Sequence, residues 1–233
     1  MTHDGSDGPL QYSSQAGIER FERAAANSVP GREHAMRMAA ALLAASVPPG
    51  GSVLSVGTGT GPDLSLLASI RPDWKLTGVD PSAPMIEVAR NRLAQDGFSG
   101  RCRLLVGTAD ELPAEPVFDG ASCLMVLPVL PDNGAKGALL ASIAARLKPG
   151  ARLVFTSPYT LDEQVEMGTA WRWFARGMGE TDAGIEILAA QVRRDIHFTS
   201  EARLMELAAE AGFHPPQRFY QALWFGGWFA EKQ

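Results

Sequence analysis

The sequence predicts an α/β protein built on a doubly wound, mostly parallel sheet. Three observations carry this. Short apolar segments alternate with helical ones from about residue 50 to 157, the rhythm of a parallel sheet covered by helices on both faces. The strand segments lack clean period-two patterning, as expected of strands buried on both sides. The first of them, Val53-Leu54-Ser55-Val56, runs straight into Gly57-Thr58-Gly59-Thr60-Gly61-Pro62. Such a strand–glycine turn–helix joint lets the backbone turn sharply and leaves no Cβ in the way of a ligand.

The elements follow in order. Residues 1 to about 16 are rich in Gly, Ser and Asp and read as loose. Residues 18–25 have helical spacing, Ser28-Val29-Pro30-Gly31 reads as a turn, and 33–45 as an amphipathic helix ended by Pro48-Pro49-Gly50-Gly51. The alternating region then predicts strand 52–56, helix 62–69, strand 74–79, helix 82–96, strand 102–106, strand 119–126, helix 134–147 and strand 151–157. Residues 160–195 break the rhythm with Trp171, Trp173, Phe174 and a glycine-rich joint of Gly177, Gly179 and Gly184. They read as a helical cap inserted after strand five, on the side where strand C-termini line the ligand crevice. Thr199-Ser200 opens a last helix to Ala211. Strands 217–224 and 228–232 form a C-terminal antiparallel β-hairpin around Gly226-Gly227. The domain division expected is an N-terminal helical segment, 1–50, and a ligand-binding domain, 51–233, carrying the cap.

Bulk composition bounds the function. The chain has 233 residues, enough for one domain with a sizeable core. Lys plus Arg is 21 against 26 Asp plus Glu, a net charge of −5, which argues against a strong grip on nucleic acid. Cys102 and Cys123 fall on separate strands without metal-ligand spacing, so they read as core thiols and no metal is expected. The N-terminus is polar and no apolar run approaches membrane-spanning length, which predicts a cytoplasmic protein with no membrane partner. The apolar Trp224-Phe225 pair offers a surface for a homodimer.

The glycine turn sets the ligand class. A second strand ends in Asp80-Pro81-Ser82, about where an acid at the end of strand two meets ribose hydroxyls in such a sheet. The G-x-G-x-G run lacks the later glycine of a dinucleotide fingerprint, and no G-K-[ST] follows to make a P-loop. A nucleoside without phosphates is the ligand these residues suit.

Together, Val53 to Gly61, Gly78-Val79-Asp80-Pro81-Ser82, Met85-Ile86 and Leu147-Lys148-Pro149-Gly150 resemble the ordered motifs of the class I S-adenosylmethionine (SAM) dependent methyltransferases, from about residue 50 to the C-terminus. The resemblance implies a Rossmann-like fold and SAM as cofactor. It places Val56, Gly57, Thr58, Gly59 and Gly61 beneath the methionine part, Asp80, Pro81 and Met85 at the ribose, and Thr108, Ala109 and Asp110 at adenine. Leu124 and Met125 line the pocket at the end of strand four. Family members that methylate amino groups of bases carry a polar set there, so this apolar pair argues against that chemistry. The family also often has an acid two residues before the first glycine, helping to position the methionine amino group; Ser55 stands here instead.

Two candidates could act on a reacting group. Tyr159, just past strand five, is placed to offer a ring face to the sulfonium, as are Trp171 and Trp173 of the cap. His34 is a candidate general base. Two further stretches, Ser28-Val29-Pro30-Gly31 and the tail from Ala211 to Gly227, resemble the carboxy-SAM synthases. The chain departs from that branch at Arg32, where a tyrosine is usual, and at Leu124, where Asn is usual. Its carboxylate-binding arginine aligns near Ala190, with Arg193 and Arg194 out of register. The leading expectation is methyl transfer to a small-molecule acceptor. The alternatives are a reaction of SAM without methyl transfer (carboxylation, or cyclisation releasing methylthioadenosine) and a non-catalytic SAM-binding module.

Overall fold

The computed structural model describes residues 15–160 and 164–233. The chain opens with two helices, α1 (Gln15–Ser28) and α2 (Arg32–Ala44). The alternating region follows: β1 (Ser52–Val56), α3 (Pro62–Ile70), β2 (Lys75–Asp80), α4 (Ala83–Gln95), β3 (Cys102–Val106), β4 (Phe118–Leu124), α5 (Ala135–Ala144) and β5 (Leu147–Thr160). The cap is α6 (Gln164–Gly177) and α7 (Asp182–Asp195), and the chain closes with β6 (Thr199–Ser200), α8 (Glu201–Glu210), β7 (Gln217–Ala222) and β8 (Phe225–Glu231). The expectation of a loose first segment falls almost wholly on residues outside those described.

The sheet order is β3-β2-β1-β4-β5-β8-β7, with β6 pairing the end of β5. Strands β3 to β5 run parallel, and β8 and β7 are antiparallel. The fold is the Rossmann-like one expected, with its antiparallel C-terminal hairpin. The chain leaves β1 toward β2 on one side and returns to β4 on the other, so the C-terminal ends of β1 and β4 frame a crevice at the switch point.

Successive strand residues feed opposite faces. Leu54, Leu153 and Phe155 pack with Leu140, Ile143, Leu204 and Leu207 of α5 and α8. Val53 and Val154 pack with Ala39, Leu43, Leu64, Leu67 and Leu93 of α2, α3 and α4. Each fully buried aliphatic side chain contributes about 1.5–3 kcal/mol. Because α2 shares this second core with β1, it covers the sheet as α3 and α4 do, and the expected division at residue 50 does not separate two cores. Cys123 lies wholly inside on β4, where burial pushes its thiol up to about 12.

Three boundaries differ from expectation. Strand β4 stops at Leu124, because Met125 turns left-handed (φ 63°). Strand β5 begins at Leu147, where an edge pairing with Phe118 draws Leu147-Lys148-Pro149-Gly150 into the strand. The hairpin turns at Leu223-Trp224 rather than at Gly226-Gly227. Those glycines lie inside β8, where a Cβ on Gly226 would stand 2.3 Å from the Trp228 ring and one on Gly227 2.6 Å from the Phe219 ring. The glycines serve packing, and Leu223 (φ 51°) takes the turn. The apolar pair at the hairpin tip, expected as a dimer surface, is in part used within the chain. Phe225 is buried, and Trp224 packs within its own chain at a tilt against Trp171 (ring centroids 5.7 Å apart) and meets Phe198 edge-on.

The cap is a three-helix assembly, since α1 joins α6 and α7. Trp171 Nε1 donates to Ser28 O (2.7 Å) and Asn27 Nδ2 to Glu180 Oε1 (2.7 Å). Trp171, Ala175, Ile185, Leu188 and Ala189 form a small core of their own with Ala24 and Trp224 at its edge. Among the described residues no helix is long and apolar enough to cross a membrane. Replacing Gly227 with Ala is expected to destabilise the protein by about 1–3 kcal/mol through overpacking. Urea unfolding checks this; an unchanged midpoint would show that the Phe219 ring moves aside freely.

Candidate active site

The glycine loop is held by the end of β2. Gly57 N and Thr58 N both donate to Val79 O (2.9 and 3.1 Å), and Gly59 N donates to Asp80 Oδ2 (2.9 Å). Ser82 N donates to the other Asp80 oxygen (2.9 Å). Three consecutive loop N–H groups are thus already spent, so the loop does not present them to a phosphate as a P-loop would. Asp80 is half-buried: desolvation raises its pKa, and the bonds from Ser82 and Gly59 oppose that. A carboxylate has about four lone-pair sites, so Asp80 keeps acceptor capacity for two ribose hydroxyls.

The three loop glycines differ in purpose. A Cβ on Gly57 would strike Val126 Cγ2 at 2.2 Å, so here the loop packs against the end of β4. At Gly61 a Cβ would meet Ala89 of α4 at 3.0 Å. At Gly59 (φ 52°) nothing stands within 4 Å. That is the open side of the cradle. At the end of β3, Gly107 N donates to Asp80 O (3.0 Å) and Thr108 N to Glu111 Oε2 (3.1 Å). Ala109 is buried, and its N–H has no acceptor among the described residues. The Thr108 hydroxyl and Glu111 close a capping box, and Asp110 is exposed, with its pKa lowered first by a bond from Thr108.

The carboxylate missing at position 55 is present in space. Asp63, in the first turn of α3, is buried beneath the loop. It accepts from Ser55 Oγ (2.6 Å) and Ser122 Oγ (3.1 Å), with Thr58 Oγ1 at 3.5 Å. Burial raises the Asp63 pKa; the bonds from Ser55, Leu64 N and Ser122 pull it back. Sequence reasoning missed this residue because its link to Ser55 spans eight positions and a turn, although Pro62-Asp63 right after the last glycine was visible. It missed the loop's outer clamp too. Glu22 of α1 accepts from Thr60 Oγ1 (2.6 Å) and Arg92 Nη2 (2.8 Å), and Arg92 Nε donates to Thr60 O (2.9 Å).

The structure gathers Val56, Gly57, Thr58, Gly59, Gly61, Asp80, Pro81, Thr108, Ala109, Asp110, Leu124 and Met125 at the C-terminal ends of β1 to β4. Met85 lies on the buried face of α4, and its N–H donates to the Ser82 hydroxyl. Met125 holds its strained backbone by donating to Thr156 O and Oγ1, each at 3.1 Å. Two expected residues are not gathered. Tyr159 is 2% exposed, edge-on to Trp228, with its hydroxyl accepting from Arg218 (3.2 Å), so it offers no free ring face. His34 is exposed on α2, on the side away from Ala35 and Ala39, which face the core. Of the cap aromatics, Trp171 is internal and Trp173 is 64% exposed beside Arg176. Arg193 and Arg194 are exposed on α7, and so is Ala190.

Fold and site define a class: a doubly wound enzyme domain that holds a nucleoside lacking phosphates between a glycine loop and an acid after strand two. The chain belongs to the methyltransferase domain family, which it matches over residues 31–215. It is 30% identical over 194 residues to the demethylmenaquinone methyltransferase of Symbiobacterium thermophilum, covering 76% of this chain and 73% of that one. An O-methyltransferase family protein from Burkholderia thailandensis shares the fold with a TM-score of 0.68 at 14% identity, over 95% of this chain and 61% of that chain. So does an O-methyltransferase from neocarzinostatin biosynthesis, solved with SAM and 2-hydroxy-5-methyl naphthoic acid. Its TM-score is 0.63 at 20% identity, over 94% of this chain and 57% of that chain. The protein is a SAM-dependent methyltransferase. The open face at Gly59, the spare lone pairs of Asp80 and the unpaired Ala109 N–H fit that cofactor.

Two outcomes test the site. Gly59→Ala is expected to cost about 1 kcal/mol of stability from its positive φ, yet to weaken S-adenosylhomocysteine binding at least ~10-fold by filling the cradle. Titration calorimetry with a parallel melt separates the two effects. Asp63→Asn tests the buried carboxyl. A pKa raised on folding means the folded state binds more protons, so stability falls as pH rises from the ordinary carboxylate value near ~4 through the raised one. Wild-type stability minus that of Asp63→Asn should therefore fall across that window in urea titrations; a rise would show that the donors outweigh burial.

Proposed function

We propose that the protein methylates a small, ring-bearing, hydroxylated acceptor. The observation that carries this reading is the apolar wall at the end of β4. Leu124, Met125 and Val126 stand there without a carboxylate or amide side chain, and Val126 touches the glycine loop at Gly57. An amine acceptor would need polar side chains to receive its hydrogens; an apolar ring bearing one ionisable hydroxyl needs only packing and exclusion of water. The names of similar proteins point the same way, since demethylmenaquinone and 2-hydroxy-5-methyl naphthoic acid are both fused rings with oxygen substituents.

When bound, SAM supplies a methyl group on a positively charged sulfur. The chain's own residues hold and orient. Asp80 takes the ribose, the loop around Ala109 takes the adenine edge, and Gly59 gives the methionine part room. The three described histidines, His34, His197 and His214, are all exposed, so an acceptor whose hydroxyl is more acidic than a free phenol (about 10) suits this site best. A reaction of SAM without methyl transfer rests on the absent acid at position 55 together with the apolar end of β4; Asp63, which accepts from Ser55, weakens the first of these grounds.

Methyl-labelled SAM incubated with a panel of hydroxylated bicyclic aromatics should give labelled product and S-adenosylhomocysteine in equal amounts. Release of methylthioadenosine, or turnover confined to amine acceptors, would defeat the proposal.

A further inference from the structure

Arg32 stands out among the arginines near the loop. It is half-buried at the start of α2, and its guanidinium has no hydrogen-bond or ion-pair partner among the described residues. Its neighbour on the loop side is committed: Arg92 is bonded to Thr60 O and Glu22. A partly desolvated guanidinium with five unused donors is costly unless a ligand completes it.

The backbone that presents Arg32 is fixed from two sides. Tyr220 Oη donates to Pro30 O (3.2 Å), and Trp171 Nε1 donates to Ser28 O. Gly31 (φ 62°) permits the first contact, because a Cβ there would stand 1.7 Å from the Tyr220 hydroxyl. The turn 28–31 is thus held by both the cap and the hairpin. One helical turn further along α2, Met36 shares a cleft with Pro62, the first residue of α3, so Arg32 lies level with the glycine loop. The charges acting on it are those around that loop: Glu22, Asp63 and Arg92. Glu22 is spent on Thr60 and Arg92, and Asp63 on the serine and threonine hydroxyls. An anion entering the loop would meet Arg32 as a half-buried cation without a partner among the described residues. The cofactor carries one such anion, the carboxylate of its amino-acid end, whose planar geometry matches the guanidinium fork.

We propose that Arg32 binds the cofactor's carboxylate, and that Asp63, as buried countercharge, positions the guanidinium. This rests on the SAM assignment and adds a residue that discriminates cofactor from its fragments. Titration calorimetry on wild type, Arg32→Gln and Arg32→Lys with three ligands tests it: S-adenosylhomocysteine, its decarboxylated analogue, and methylthioadenosine, which lacks the whole amino-acid end. Wild type should prefer S-adenosylhomocysteine to the decarboxylated analogue about 10- to 100-fold. Arg32→Gln should lose that preference while binding methylthioadenosine as wild type does, which also shows that the variant is folded. Arg32→Lys should keep part of it. Unchanged S-adenosylhomocysteine binding in Arg32→Gln, or an equal loss for all three ligands, overturns the proposal. If wild type binds none of the three, the SAM assignment fails with it.

Discussion

The buried carboxyl of Asp63 is the constraint on which the site's architecture depends. It ties together four pieces that the chain supplies separately: Ser55 on β1, Ser122 on β4, Thr58 in the glycine loop and the first turn of α3. These pieces meet at the point where the sheet reverses direction, which is where a doubly wound fold binds its ligand. A fully buried acid is costly to desolvate, and three side-chain hydroxyls and a backbone N–H repay much of that. What results is a loop whose shape is set before any ligand arrives.

The remaining loop contacts extend this anchoring outward. The end of β2 takes the loop's N–H groups through Val79 and Asp80, and Val126 fills the space beside Gly57. Glu22 of α1 and Arg92 of α4 hold Thr60 from outside the loop. Only the face at Gly59 is left open, so rigidity and access divide between residues two positions apart. The same economy appears at the hairpin, where Gly226 and Gly227 look like a turn but exist to admit the rings of Trp228 and Phe219.

Much of this was legible in the chain. The alternation of apolar segments, the G-x-G-x-G turn and Asp80 at the end of β2 gave the sheet, the crevice and the nucleoside, because each is a local pattern with a local cause. The helical insertion after strand five was legible as an interruption of that pattern. Tyr159 and His34 were misplaced for one reason: sequence position locates a residue along a strand or helix but not the direction of its side chain. The Tyr159 ring turned inward to Trp228, and His34 fell on the solvent side of α2.

By itself the sequence determined the fold class, the glycine loop and the acid that meets the ribose, since periodicity and turn chemistry act over a few residues. Tertiary structure alone decided which carboxylate stands at Ser55, which arginine is left unpaired, and which glycines make room for rings rather than turns. Those outcomes depend on contacts between residues that neighbour one another in space but not along the chain, such as Ser55 with Asp63 and Ser122, or Gly31 with Tyr220. No local pattern encodes them, because burial and pairing are settled only when the sheet, the cap and the loop close on one another.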